Sequence, residues 1–312
     1  MRRPAVIAVA AAAATVAVLL TILSIGDRAG ALPNWQALIL GVVQGATELL
    51  PISSSGHLIL VPWLFEWEYL EANDEFNQTF DVALHLGTLV AVAGYFFHDV
   101  VRLVAAWLHT LGRRRIETAD ERVAWFVAVA TVPAAVIGAV GEQAIADNLG
   151  EPWQIAILLA LFAGVLWLAD RRPASRTMDQ LSLRSAIAVG VAQSLSLMPG
   201  VSRSGITISA GRFLGLDRDS AARFSFLLLL PITFGAVLWK GLTDIVFADL
   251  PPGMAGPFVV GVLASFVSGL AAIAGLLGYV RNHDYTIFVL YRLAVAAFVL
   301  LVIATGVREA TF

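Results

Sequence analysis

Two short polar segments interrupt an otherwise apolar chain, and their residue types are those of phosphoryl chemistry. The first reads Gly41-Val-Val-Gln44-Gly-Ala-Thr47-Glu48-Leu-Leu-Pro51-Ile-Ser53-Ser54-Ser55-Gly56-His57. Gln44 and Glu48 are four apart and share one face of an incoming helix. Pro51 ends that helix, because the residue before a proline is pushed out of the α region. The serines then cap an outgoing helix whose first N–H groups point at the break. A helix N-terminus with free amides and hydroxyls suits phosphate. The second segment reads Gln193-Ser-Leu-Ser196-Leu-Met-Pro199-Gly200-Val-Ser202-Arg203-Ser204-Gly205-Ile-Thr207, with Arg203 where the first copy has Ser54. Set together, Glu48, Ser54 and His57 would face Arg203 and Thr207. A guanidinium and amides neutralise phosphate oxygens while a carboxylate handles a proton or a metal.

Plainer roles compete. Ser53, Ser55 and Ser202 can serve as backbone caps or helix glue alone. Glu48 and Arg203 are harder to dismiss, since an ion at membrane depth costs at least about 2.5–3.5 kcal/mol, although pairing with each other would satisfy both. Asp81, His85 and Arg292 are further polar residues in apolar surroundings, for which packing or pairing fits as well as chemistry. Arg113–Arg115 reads as a topology determinant and Glu66–Glu75 as a solvated outer loop.

The elements that position these residues are membrane helices. The 312 residues are 59% hydrophobic and 14% charged, with a mean hydropathy of +0.81. Soluble domains carry roughly 25% charged residues. Spans of about 20 apolar residues are readable near Thr79–Phe97, Arg122–Val140, Trp153–Ala169, Ser220–Trp239, Pro257–Tyr279 and Tyr285–Gly306. An additional apolar segment follows Arg2 and Arg3, so residues 1–30 form a signal anchor or a signal peptide. Its apolar run exceeds the usual signal-peptide core of about 7–15 residues, which favours an uncleaved anchor. The absence of cysteine excludes a disulfide framework, a thiolate metal site and a thiol nucleophile. No basic face with interleaved aromatics suggests nucleic acid.

All but Lys240 of the 20 basic residues are arginine, and they cluster around 102–122, 171–184 and 212–223. Acidic loops alternate with them at 66–75, 142–151 and 244–249. Arg-rich loops are cytoplasmic, so the acidic loops lie outside. The broken stretch 35–65 then has both flanks outside, and 184–215 has both inside. Neither crosses, and both read as re-entrant hairpins. At an offset of 149, Gly41, Val42, Gln44, Ser53, Ser55, Gly56 and Ile59 match Gly190, Val191, Gln193, Ser202, Ser204, Gly205 and Ile208. At an offset of 144, Phe80, Leu84 and Leu86 match Phe224, Leu228 and Leu230. The expectation is an all-α polytopic membrane protein with six core transmembrane helices, two inverted-repeat re-entrant hairpins and the extra N-terminal segment. Residues 31–312 form the membrane domain, with repeats at about 35–140 and 184–280. Such architectures place the site at the broken helices near mid-membrane.

These segments closely resemble the undecaprenyl-diphosphate phosphatase family, the bacitracin-resistance type of membrane pyrophosphatase. Gly41–Leu58 is similar to its first signature, and Pro199–Thr207 to its second, Pro-Gly-x-Ser-Arg-Ser-Gly-x-Thr. The likeness runs from about Trp35 to the C-terminus, including Phe224-Ser-Phe-Leu and Tyr291-Arg292. The resemblance implies hydrolysis of a polyprenyl diphosphate to the monophosphate, recycling a carrier lipid for cell-envelope glycan synthesis. It implies a site open to the extracytoplasmic side of the plasma membrane and assistance by Mg²⁺ or Ca²⁺. It makes Glu48 the essential carboxylate, as base or metal ligand, Ser54 the nucleophile, His57 its acid/base partner and Arg203 the phosphate clamp. Ser53, Ser202, Ser204 and Thr207 become further phosphate contacts. Gln44 stands where many members have Glu, and a neutral amide is a weaker ligand for a hard cation. The expected partners are the polyprenyl diphosphate and membrane lipids, with a homodimer allowed and no nucleic acid.

Two rivals remain at this level. Inverted repeats with broken helices are also a transporter architecture, which makes a lipid flippase the second reading. Ser55-Gly56-His57 echoes the phosphatidic-acid-phosphatase type 2 superfamily, but Ser209 stands where that pattern needs a histidine.

Overall fold

The computed structural model describes residues 32–67, 74–241 and 254–311, so the expected signal anchor or signal peptide of residues 1–30 lies outside the described residues. The helices are α1 (Asn34–Leu49), α2 (Ser54–Phe65), α3 (Asp74–Tyr95), α4 (Phe97–Arg113), α5 (Ala119–Asn148), α6 (Pro152–Asp170), α7 (Leu183–Ser194), α8 (Arg203–Phe213), α9 (Arg218–Lys240), α10 (Ala255–Val280) and α11 (Thr286–Ala304). Five of them are long and apolar enough to cross a membrane: α5, α6, α9, α10 and α11. A sixth is reached if α3 and α4, bent by 84° at Phe96, count as one span. The chain is a multi-pass, all-helical membrane protein with no strand among the described residues.

One expectation needs correcting. The arginine-rich stretch after the first span is not a plain loop. Residues 97–113 form α4, and α5 begins at Ala119, where Thr118 caps Glu121 N at 3.2 Å and Glu121 Oε2 accepts from Thr118 N at 3.0 Å. The 17 residues of α4 carry two arginines and two histidines, with Arg114 and Arg115 just beyond, so the charge count hid their helical spacing.

Small residues set the closest helix contacts. A Cβ at Gly41 would lie 2.3 Å from the Gly261 carbonyl, and one at Gly45 would lie 2.0 Å from Ser268 Oγ, so α1 and α10 touch backbone to backbone. A Cβ at Gly190 would lie 2.5 Å from the Ala130 carbonyl, so α7 meets α5 the same way. Such contacts hold membrane helices together where the hydrophobic effect does not. Gly41 and Gly190 are repeat partners. The first hairpin thus leans on a late helix and the second on an early one, which interleaves the two halves.

The chain on either side of each broken helix pair comes together. Leu32 and Trp67, on either side of α1–α2, share a buried cluster with Met254 at the start of α10. Trp63 Nε1 donates to the Glu309 carbonyl at 3.2 Å, and Arg308 pairs with Glu66, so the end of α11 lies there too. The flanks of α7–α8 meet at the opposite end of α10, about 39 Å away by helix rise. There Arg176 and Leu216 form a parallel bridge. Asp170 takes Arg218 at 2.7 and 3.1 Å and the Tyr285 amide at 2.9 Å, while Arg212 donates to the Asp170 carbonyl at 3.0 Å. Glu66 and Arg308 therefore lie at one end of the described bundle, and Arg176, Arg212 and Arg218 at the other.

Candidate active site

The tips of the two hairpins meet inside the bundle. Leu50 is extended (φ −76°, ψ 146°) ahead of Pro51, which stops α1. Ser53 then adopts φ 78° and caps α2, accepting from Gly56 N at 3.4 Å. Its repeat partner Ser202 adopts φ 75° and caps α8, accepting from Gly205 N at 3.0 Å. The sequence match thus extends to an uncommon backbone conformation. A non-glycine residue at such φ costs of order 1–3 kcal/mol and persists only where surroundings enforce it.

The enforcement is visible. Ser53 Oγ also accepts from Gly200 N at 3.1 Å, and Ser204 Oγ donates to the Leu50 carbonyl at 2.9 Å. Arg292, wholly buried, donates from Nη1 to Pro51 O at 3.2 Å and from Nη2 to Gly200 O and Val201 O at 2.9 and 3.1 Å. Its Nε reaches Leu159 O at 3.1 Å. No carboxylate pairs with Arg292 among the described residues. Carbonyls of both tips are its anion.

Glu48, 6% exposed, is the centre of the site. Its Oε2 accepts from Ser54 Oγ, and its Oε1 accepts from Arg203 Nε at 3.3 Å and Nη2 at 3.1 Å. Arg203 Nη1 donates to Ser225 O at 2.7 Å, which fixes the guanidinium plane. Thr207 Oγ1 lies 2.7 Å from Ser225 Oγ and 2.8 Å from Arg203 O, so it backs the arginine. Two helix N-termini, of α2 and α8, start at Ser54 and Arg203 and add their partial positive charge.

The two histidines divide differently from the expectation. The Nδ1 of His57 lies 2.6 Å from Ser53 O, and its Nε2 lies 2.8 Å from Tyr291 OH. A carbonyl only accepts, so Nδ1 carries the proton and the tyrosine donates to Nε2. Both nitrogens are thereby engaged, neither of them with Ser54. His85 is the imidazole that faces the carboxylate. Its Nδ1–H donates to Asp81 O at 2.7 Å and its Nε2 lies 3.6 Å from Glu48 Oε2. Of the residues marked by the sequence, the structure brings together Glu48, Ser54 and Arg203, with Ser53, Ser202 and Ser204 shaping the tips. His57 is held apart by Tyr291. His85 and Arg292 were legible only as polar residues of undecided role, and Ser225 and Tyr291 lay within segments that carry the family likeness without a role assigned to either.

The donor set for a hard cation is thin. Glu48 supplies one carboxylate, already shared with Arg203 and Ser54. Gln44, wholly buried one turn earlier, has no hydrogen-bond partner for either amide atom among the described residues. No group of three or more His, Cys, Asp or Glu that could hold a metal occurs among the described residues. Such a set fits a Mg²⁺-like ion that takes most of its ligands from phosphate and water. It does not make a protein cage.

Fold and site together define a polytopic membrane protein with a buried centre of one carboxylate, one hydroxyl and one guanidinium at two helix breaks. The chain belongs to the family described as bacitracin resistance protein BacA, whose model matches residues 37–298. It is 45% identical over 271 residues to a protein named undecaprenyl-diphosphatase from Desulforudis audaxviator, covering 86% of this chain and 97% of that one. It is 46% identical over 269 residues to a protein of the same name from Geobacter metallireducens (86% and 97% covered) and 43% over 281 residues to one from Mycobacterium ulcerans (89% and 99%).

Proposed function

We propose that the chain hydrolyses a polyprenyl diphosphate of the undecaprenyl type to the monophosphate and inorganic phosphate, recycling a glycan carrier lipid. The observation that carries this is Glu48, shared between the Ser54 hydroxyl and the Arg203 guanidinium where two helix N-termini converge. The names of the relatives support the same substrate.

In the reading we favour, the terminal phosphate sits against Arg203 and the first amides of α2 and α8, which spread the charge of its oxygens. Glu48 Oε2 takes the Ser54 proton as Oγ attacks the terminal phosphorus. The bond to the bridging oxygen breaks and the prenyl monophosphate leaves. Water then attacks the phosphoserine, releasing inorganic phosphate and restoring the hydroxyl. Attack by water directly, with Glu48 as base, gives the same net reaction. Ser54→Ala separates the two, abolishing turnover only in the first. Gln44 Oε1 and Glu48 are the residues that would hold Mg²⁺ or Ca²⁺ brought by the diphosphate. Such an ion would supply further neutralisation of phosphate oxygens. Ser53, Ser202 and Ser204 set the tip geometry and Thr207 supports Arg203.

We further infer that the hairpins are re-entrant inverted repeats and that the site opens on the acidic-loop end. The basis is that α1 and α2 both end there and that arginine-rich loops face the cytoplasm. On this reading the chain sits in the plasma membrane and phosphate leaves outward. Purified protein should release phosphate from a polyprenyl diphosphate in detergent, and Glu48→Ala or Arg203→Ala should abolish release while the protein still inserts. Near-normal turnover in either variant would sink the mechanism. A flippase, the reading that inverted hairpins also allow, would release no phosphate in detergent.

A further inference from the structure

Helix α4 has no part in the phosphoryl chemistry, and its faces ask for an explanation of their own. Phe97, Val101, Val104, Leu108 and Leu111 recur at spacings of four and three, which places them within one narrow stripe of the helix. All five are between 48% and 58% exposed. A second face packs on the bundle. Leu103 joins Val123, Ala124 and Leu227, Trp125 Nε1 donates to Thr110 Oγ1 at 2.9 Å, and Leu103 and Thr110 are the buried residues of the helix. The third face carries His98, Arg102, His109 and Arg113.

The setting narrows what can cover the stripe. α4 leaves the end of α3 at 84°. If α3 crosses the bilayer, α4 runs along its surface, at the arginine-rich end of the molecule. The helix stops at Arg114, whose φ of 54° is left-handed and whose N–H donates to Thr110 O at 2.7 Å. Glycine or asparagine is the usual occupant of that position, yet the chain places arginine there and follows it with Arg115. Arg102 pairs with Asp99 and Asp120, and Arg113 with Glu117. Arg114 and Arg115 have no ion pair among the described residues. An apolar stripe, a basic flank and arginines at the helix C-terminus are the features of a helix lying in the headgroup–acyl boundary.

We propose that α4 is a membrane-surface helix that seats its stripe in the cytoplasmic leaflet and binds anionic phospholipid headgroups through Arg114 and Arg115. A second copy of the chain is the competing occupant. Arg102 and Arg113 are met by acidic partners, which leaves Arg114 and Arg115 to repel their counterparts in a second copy, whereas an anionic headgroup complements them directly. Each arginine near an anionic surface is worth about a fivefold preference.

The absence of native cysteine makes the test clean. Leu108→Cys in the full chain is labelled with bimane and reconstituted in bilayers of phosphatidylcholine and phosphatidylglycerol. Quenching is then compared between lipids of each headgroup carrying a shallow nitroxide on the acyl chain. The expected result is strong quenching at position 108, several-fold stronger by labelled phosphatidylglycerol, with that preference lost in Arg114→Gln/Arg115→Gln. Three outcomes overturn the proposal: quenching by aqueous iodide in place of lipid nitroxides, equal quenching by the two headgroups, or disulfide cross-linking of two copies through unlabelled Leu108→Cys. Phosphate release by the double variant serves as the folding control, because neither arginine touches the hairpin tips.

Discussion

Arg292→Gln should cripple turnover although Arg292 touches neither Glu48 nor Ser54. Its guanidinium serves four carbonyls, of which Leu159 O sits within α6 while Pro51 O, Gly200 O and Val201 O belong to the hairpin tips. Losing a partner for a buried carbonyl costs about 1–3 kcal/mol, so three of them put roughly 3–9 kcal/mol on the tips. Relief of the buried cation and partial replacement by the glutamine amide offset several kcal/mol of that, leaving a net loss of about 2–4 kcal/mol. The serines at 53 and 202, already at φ 78° and 75°, lie next to these carbonyls and are the first to relax. A displacement of about 1 Å at a reacting group can cost about a hundredfold in rate. The assay is steady-state phosphate release from a polyprenyl diphosphate in detergent, read as kcat and KM separately, beside a thermal unfolding curve. We expect kcat to fall about a hundredfold with a smaller change in KM. Arg292→Lys should recover part of kcat, because one ammonium reaches some of the carbonyls. Gly205→Ala should reproduce a weaker form, since its Cβ would lie 2.9 Å from Arg292 Nη1. Unchanged kcat in Arg292→Gln would refute the idea that this arginine sets the tips.

Other perturbations address the remaining parts. Glu48→Gln should remove activity by at least about a hundredfold and also lower stability, because Arg203 loses its carboxylate, so calorimetry and phosphate release should both respond. His85→Gln should reduce kcat more than His57→Gln, since His85 faces Glu48 at 3.6 Å whereas His57 is held by Ser53 and Tyr291; the reverse order would return the acid/base role to His57. Gln44→Glu should tighten divalent-cation binding, read by calorimetric titration of the apo protein, and no change would remove position 44 from the cation site. Gly41→Leu should prevent α1 from seating on α10 and yield protein that inserts poorly, checked by detergent extraction and unfolding temperature.

How much of this was legible beforehand depended on whether a signal was local. Pro51 and the serine-rich tips announce helix breaks by backbone sterics alone, so the hairpins and their caps could be read directly. Glu48 and Arg203 were legible because ions are expensive in apolar surroundings. The division of labour between histidines was not. His57 sits inside the signature while His85 lies 37 positions from Glu48 on another helix, and only the packing of α3 against α1 decides which imidazole faces the carboxylate. The role of Arg292 is equally non-local, since backbone carbonyls leave no residue-type signature. Helix α4 was missed for a third reason. Its arginines count toward topology in a charge tally, and the same residues lie on one flank of an amphipathic period only when their angles are compared.

The divergence of the two hairpins also explains why the molecule has one centre and not two. At the repeat offset, Leu197 stands opposite Glu48 and Arg203 opposite Ser54. Had both copies kept a carboxylate, two anions would meet at the tips and repel each other and the phosphate. Had both kept arginine, neither would carry a base. Splitting the charges lets one buried ion neutralise the other across the interface, at 3.1 Å. In the proposed reaction, a bound diphosphate would compete with Glu48 for Arg203, and drawing the guanidinium away would leave the carboxylate freer to take the Ser54 proton. On that reading, the same contact that neutralises the buried pair would tie activation of the hydroxyl to arrival of the phosphate.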